Sequence, residues 1–178
     1  MSFNSLLYLV FVVACAALAN LSRSPRVRFA VLLVSSYVFY ASFSPFYLLL
    51  LIAVGSIVSL AAADGSTKTA RIYGGIAALL VILVLFRSEA LLVATREALV
   101  RAKLGWLAPS AGVPLGLSFY IFEAIGYLVE RSKGREAAYG MGQFQLFMAF
   151  FPHLLSGPIM KARDFMPQIA KRPTLASI

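Results

Sequence analysis

Two ionisable side chains within apolar stretches are the strongest indications of chemistry in this sequence. Glu123 lies in the middle of the apolar segment 113–127, and His153, the single histidine, directly follows Pro152 in a second apolar run. Ionisable groups inside lipid-immersed segments are costly, and they commonly mark ligand sites, proton relays or buried pairs. We therefore treat Glu123 and His153 as candidate cavity or substrate-binding residues.

The segment around Glu123 supplies two further candidates, Tyr120 and Ser118. On a helix, Tyr120 lies one turn before Glu123 on the same face and is its candidate hydrogen-bond partner. A carboxylate at this depth is expected to be neutral or paired. The alternative for Glu123 is an interhelical hydrogen bond that only fixes packing.

The run that contains His153 has three residues that break helices, Pro152, Gly157 and Pro158. Each proline removes a backbone donor and frees a carbonyl one turn earlier. Irregular backbone at membrane depth is tolerated only inside protein or beside a water-filled cavity. His153 is therefore expected either to line a polar cavity or to be buried against the freed carbonyls.

No catalytic set can be assembled from the remaining residues. The chain has one histidine and one cysteine, so no usual nucleophile–base pair can be assigned and no Cys/His cluster offers a metal site. We expect no bound metal, and we interpret Cys15 as a small apolar residue within a span.

Composition and charge indicate a polytopic all-α membrane protein. Of the 178 residues, 61% are hydrophobic and only 13% are charged, whereas soluble domains carry about a quarter charged residues. The net charge of +9 comes from Lys and Arg at segment ends, which favours anionic lipid over nucleic acid as the partner. We treat residues 1–178 as a single transmembrane domain.

The apolar blocks predict about five spans together with two other elements. Residues 143–168 are predicted to form a broken or re-entrant segment, because the block is too short to cross as a straight helix. Residues 87–107 alternate in a pattern typical of an interfacial amphipathic helix, although a connector packed on the bundle fits equally well. The spans are expected at residues 3–21, 27–43, 46–63, 72–86 and 114–129.

Small residues and charges predict how these spans are arranged. Gly55, Ser56 and Ser59 are suited to close helix contact. Loops 22–28, 64–71 and 130–142 hold eight Lys and Arg residues, whereas the segment 87–112 on the other side holds four. The positive-inside rule therefore places the N-terminus outside the cytoplasm.

Three motifs resemble those of the membrane-bound O-acyltransferases, in particular the bacterial branch that acetylates alginate. They are the segments 36–41, 114–127 and 151–158. The resemblance implies an enzyme of the bacterial inner membrane that passes an acetyl group to an extracytoplasmic polysaccharide such as alginate. It also implies acetyl-CoA or an acyl-carrier thioester as donor substrate, periplasmic acetyltransferase proteins as partners, and no bound cofactor.

One departure from this family limits what can be transferred. Family members are much longer, and the histidine usually considered catalytic lies in their second half, whereas His153 matches an earlier motif. We therefore assign no catalytic residue and expect the chain to be the N-terminal part of such an enzyme, inactive by itself. The alternatives are a non-catalytic scaffold or relic that binds partner subunits, and a small transporter, which would depend on Glu123 alone.

Overall fold

A computed structural model describes residues 6–22, 24–63, 69–109, 116–150 and 160–170. Within these ranges the regular structure is entirely helical, which confirms the predicted all-α class for this part of the chain. The α-helices are α1 (Leu6–Leu21), α2 (Pro25–Ala41), α3 (Pro45–Ala62), α4 (Thr69–Leu85), α5 (Glu89–Arg101), α6 (Leu117–Ser132), α7 (Met141–Ala149) and α8 (Ala162–Ala170), with a short 3₁₀ helix at Gly105–Leu107.

The helix starts follow local sequence signals. Pro25 and Pro45 occupy the first turns of α2 and α3, where the missing N–H of proline costs nothing. Both helices begin slightly earlier than the predicted spans, α3 by one residue and α2 by two. At α5, the Ser88 side chain accepts a hydrogen bond from the Leu91 N–H at 3.4 Å.

The lengths of the helices support only part of the predicted span count. Among the described residues, one helix, α3, is long and apolar enough by itself to cross a membrane. The pair α4 and α5 meets the same criterion only when taken together, and the two helices meet at an angle of 84°. α4 has 17 residues, so it is longer than the fifteen-residue block expected at 72–86. The number of spans therefore stays a prediction.

The predicted grouping of the loops agrees with the contacts at one end of the bundle. The Arg131 Nε donates to the Ala62 carbonyl at 3.4 Å, joining the ends of α6 and α3. A Cβ on Gly142 would lie 3.5 Å from the Phe29 ring, so α7 begins beside the start of α2. We call this the basic end, because it carries Arg26, Arg28, Arg71, Arg131, Lys133, Arg135, Lys161 and Arg163.

Aromatic contacts mark the opposite end of the bundle. Phe46 at the start of α3 lies 6.0 Å from Phe86 after α4, measured between ring centroids. Tyr8 in α1 lies 5.7 Å from Phe39 near the end of α2. Helices α1 to α4 therefore run antiparallel in chain order.

The core lies around α3, which packs on α2, α4, α6 and α7. Leu51, Val54 and Val58 of α3 are completely buried, while Val34 and Val38 of α2 are more than half exposed. Exposed aliphatic side chains on a helix that also buries one face fit a lipid-facing surface. α2 therefore has one face packed on the bundle and one face that is open.

Close helix approach occurs where the small residues predicted it. A Cβ on Gly55 would lie 2.8 Å from three side-chain atoms of Gln145 in α7. Gly75 of α4 similarly faces Ala61 of α3, with 2.8 Å between the Cβ that an alanine would add and the Ala61 Cβ. Such glycines let helix backbones approach closely in lipid, where packing replaces the hydrophobic effect.

The segment predicted to be amphipathic forms α5, which buries only part of its apolar surface. Leu92 is buried in the core, whereas Ala94 and Ala98 are exposed. Trp106 is 70% exposed. Leu92 is the one buried residue of α5, and this helix meets α4 at an angle of 84°. Its position at a membrane interface stays a prediction.

Candidate functional site

A cavity of about 300 Å³ opens between α6, α7 and the start of α8. Three carboxylates line it, from Glu123, Glu130 and Glu136, together with the ammonium of Lys161. The remaining walls are mostly apolar and comprise Phe122, Gly126, Tyr127, Val129, Phe147, Met160 and Ala162. We call this feature the acidic cavity.

The periodicity of α6 places two of the carboxylates on one face. Glu123 and Glu130 are seven residues apart, which is two helical turns. Glu123 is only 4% exposed and lies deep in the cavity, whereas Glu130 lies near the basic end, 3.9 Å from Arg135. The cavity therefore extends from the basic end toward the middle of α6.

Glu136 comes from the loop that follows α6, and its carboxylate lies at the start of α8. It is 4% exposed, and it accepts hydrogen bonds from the Arg163 backbone N–H and the Tyr139 hydroxyl, both at 3.4 Å. A carboxylate is favourable here because the first N–H groups of a helix have no intrahelical partner. Burial, reinforced by the nearby Glu136 carboxylate, raises the pKa of Tyr139, which keeps its hydroxyl a donor.

The other end of α8 is held by a cation. Arg28 of α2 is 7% exposed and donates a hydrogen bond to the Ile169 carbonyl in the last turn of α8. Positive charge is favourable at a helix C-terminus. Between these two contacts, Phe165 packs on Phe147 at 5.3 Å and on Phe150 at 5.1 Å between ring centroids. α8 is thus fixed as one wall of the acidic cavity.

Tyr120 faces a different part of the molecule from Glu123. It is completely buried with Tyr40 and Tyr47, away from the acidic cavity. Its hydroxyl lies within reach of the Tyr40 hydroxyl, but it makes no hydrogen bond of acceptable geometry. The expectation that Tyr120 is the partner of Glu123 was therefore wrong, because Tyr120 packs with Tyr40 and Tyr47 whereas Glu123 lines the acidic cavity.

The other candidates from the sequence are only partly accounted for. Ser118 lies in the first turn of α6 and is partly buried. His153 and the predicted helix breakers Pro152, Gly157 and Pro158 lie outside the described residues. The described neighbours of that stretch are Phe150 and Met160, and Met160 lines the acidic cavity.

The acidic cavity supplies mainly proton acceptors. Carboxylates within reach of a hydroxyl can act as general bases, and an ammonium such as that of Lys161 can offset developing negative charge. Within the described part of the chain, the His, Cys, Asp and Glu side chains form no group that could hold a metal ion. The arrangement fits proton transfer or the orientation of a polar substrate.

Sequence reasoning missed several residues that shape this site. Glu136 and Lys161 were not singled out, because each lies in a charged stretch next to a helix end, where a solvated charge is the ordinary interpretation. Gln145 is buried in α7, a position that a hydropathy pattern does not reveal. Glu130 was likewise not singled out as a site residue.

The curated proteins that match this chain in sequence share one name. The chain is 39% identical over 61 residues to a protein of Azotobacter vinelandii named "Probable alginate O-acetylase AlgI", and 41% identical over 61 residues to its counterpart in Pseudomonas fluorescens. The Pseudomonas aeruginosa counterpart is 38% identical over the same length. These results confirm the resemblance to the alginate-acetylating branch of the membrane-bound O-acyltransferases.

The match covers a small part of this chain and a smaller part of each relative. It covers 34% of this chain and 12% of the relatives from Azotobacter vinelandii and Pseudomonas fluorescens. No protein-family model matches the chain, and no solved structure matches it.

Proposed function

We propose that this chain is the N-terminal part of a membrane-bound O-acyltransferase that transfers an acetyl group to an extracytoplasmic polysaccharide such as alginate. The observation that carries the proposal is the 61-residue similarity to alginate O-acetylases. The apolar helices and the basic end support placement across the bacterial inner membrane, with the N-terminus outside. Acetyl-CoA or an acyl-carrier thioester is the donor, and periplasmic acetyltransferase proteins are partners.

In this proposal the acidic cavity forms part of the space in which acyl transfer takes place. Transfer to an alcohol requires that a base accept the hydroxyl proton and that charge on the acyl oxygen be stabilised. Glu123 is the deepest of the three carboxylates, and we assign it to binding or proton acceptance. His153, with Pro152, Gly157 and Pro158, belongs to the segment that follows α7 and helps to shape the same space.

The test uses an alginate-producing Pseudomonas strain that lacks its own alginate O-acetylase. The chain is expressed alone and also fused, at the end of the matched stretch, to the remainder of the Pseudomonas aeruginosa relative. We expect acetyl esters on secreted alginate with the fusion and none with the chain alone. A fusion that reaches the membrane and leaves the alginate unacetylated would contradict the proposal.

Glu123→Gln in the same fusion tests the assigned residue. Removing the carboxylate while keeping its shape is expected to lower acetylation about a hundredfold or more, the range for general acid–base groups. Glu97→Gln is the matched control, because Glu97 is exposed on α5. His153→Ala is also expected to lower acetylation, and full activity in that variant would remove His153 from the site.

The same strain distinguishes the alternative of a non-catalytic scaffold. The short match to the relatives is the observation that favours it. A fusion that co-purifies with the periplasmic acetylation proteins, yet acetylates nothing, would support a scaffold in place of an enzyme part.

A further inference from the structure

We propose that the outer face of α1 and α2 binds one anionic phospholipid, with its phosphate at Arg26. The proposal rests on the membrane placement given above and goes beyond the acyl-transfer function. The site is a groove of about 580 Å³ between α1 and α2, separate from the acidic cavity. We call it the lipid groove.

The walls of the lipid groove are almost entirely apolar. The apolar side chains form a row along the two antiparallel helices. They are Phe11, Cys15 and Leu18 of α1 and Val31, Val34 and Val38 of α2. Leu18 is 60% exposed and Val34 is 59% exposed, so the groove opens outward. A groove of this character in lipid accommodates a flexible hydrocarbon chain.

The cation at one end of the groove makes an anionic headgroup the best occupant. Arg26 lines the groove at the basic end, is exposed, and makes no hydrogen bond or ion pair with the residues described. A guanidinium presents several N–H donors that match phosphate oxygens. The charge at the mouth and the apolar walls behind it are together complementary to an anionic phospholipid.

The length of the groove fits one leaflet. From Arg26 to Val38 α2 rises roughly 18 Å at 1.5 Å per residue. Half of the hydrocarbon core of a bilayer is roughly 15 Å thick. An acyl chain whose headgroup lies at Arg26 would therefore extend along the groove to about the bilayer midplane.

The experiment is native mass spectrometry of the full chain in detergent, with added phosphatidylglycerol or phosphatidylcholine. We expect the chain to bind phosphatidylglycerol about fivefold more tightly, which corresponds to one cation beside an anionic lipid. Arg26→Gln should abolish this preference. Lys133→Gln, which removes an exposed cation at the same end but outside the groove, should preserve it.

A second variant tests the apolar part of the groove. Ala30 is exposed and lines the groove. Ala30→Phe should therefore fill the groove and weaken the binding of both lipids without disturbing the core. Equal losses in Arg26→Gln and Lys133→Gln would overturn the proposal. Normal binding of both lipids by the Ala30→Phe variant would also overturn it. An Ala30→Phe variant in which only self-association changes would overturn it as well, because the groove would then be occupied by a second copy of the chain.

The two proposals fail in different ways. Recovery of the folded chain in the aqueous fraction without detergent would refute the membrane placement. The lipid-binding outcomes above refute only the groove and leave the acetylation result unaffected.

Discussion

Gln145 shows how a buried polar side chain can position a helix in this molecule. Its Nε2 donates to the Ile52 carbonyl at 2.8 Å and lies 3.3 Å from the Ser56 Oγ, while its Oε1 accepts from the Tyr37 hydroxyl at 3.2 Å. An amide without partners is costly in an apolar interior, and here both ends are satisfied. These contacts therefore fix the depth and rotation of α7.

Gly55→Ala is expected to destabilise the protein by about 1–3 kcal/mol, the range for overpacking. The added Cβ would lie 2.8 Å from Gln145, whose side chain cannot move without losing its hydrogen bonds. Thermal unfolding in detergent, monitored by circular dichroism, measures the effect.

The matched control is Gly74→Ala in α4, where a Cβ meets nothing within 4 Å. This substitution should raise stability by up to about 1 kcal/mol, because alanine is the better helix former. Equal effects at Gly55 and Gly74 would mean that α3 and α7 do not approach as described.

The sequence alone was enough to predict whether a residue such as Glu123 is buried. Glu123 is buried, as a carboxyl in the middle of an apolar segment suggested. The neighbour of Tyr120 was not predictable, because a helical wheel gives direction around one helix but not which helix packs there. Tyr40 and Tyr47, which surround Tyr120, come from elements about 75 residues away in sequence.

At the scale of elements, α8 depends on contacts at its two ends. It has nine residues and contains Pro167, so it is too short to be stable by itself. Glu136 and Arg28 supply charges of the sign that each end favours. The wall that α8 gives to the acidic cavity therefore depends on residues of α2 and of the loop after α6.

Arg28→Met should loosen α8 while keeping an apolar side chain at the position. A hydrogen bond from a cation to a helix C-terminus contributes about 1–2 kcal/mol, so backbone amides of α8 should exchange hydrogen roughly tenfold faster. Arg71→Met is the control, since the Arg71 guanidinium donates to Leu60 on an exposed surface. Unchanged exchange in α8 with Arg28→Met would show that the contact does not hold this helix.

The helix starts at proline were predicted to within two residues, since α2 begins at Pro25 and α3 at Pro45. α4 begins at Thr69, earlier than the apolar block suggested, because backbone hydrogen bonds continue through Arg71. Hydropathy detects where charge begins, and a helix can extend past that point. The angle of 84° between α4 and α5 had no signal in the apolar pattern.

At the scale of the whole molecule, charge divides the bundle into two ends. The described helix ends that flank these loops lie together, as the contacts between Arg131 and Ala62 and between Gly142 and Phe29 show. The positive-inside rule assigns this basic end to the cytoplasm. The number of spans was less predictable, because helices of 16 or 17 residues cross only with local thinning or flanking cations.

Single cysteines test this orientation. In a Cys15→Ala background, Arg87→Cys and Lys133→Cys place one thiol at each end of the bundle. A membrane-impermeant maleimide added to intact spheroplasts should label Arg87→Cys, and it should label Lys133→Cys only after lysis.

The reverse labelling pattern would contradict the assigned orientation. Labelling of both variants in intact spheroplasts would show that the bundle does not span the membrane. The two substitutions replace exposed basic residues, so each serves as the control for the other.

The shortness of α7 has an electrical consequence. Nine residues rise about 13.5 Å, so a helix that begins at the basic end stops near the middle of a 30 Å hydrocarbon layer. A proton carried to that level crosses about half of the transmembrane voltage, which amounts to roughly 1 kcal/mol per 100 mV. Under the proposed function, acetyl transfer that moves charge to this level should change its rate about fivefold when an ionophore collapses a 100 mV potential, so the proposed reaction would be coupled to the energised state of the cell.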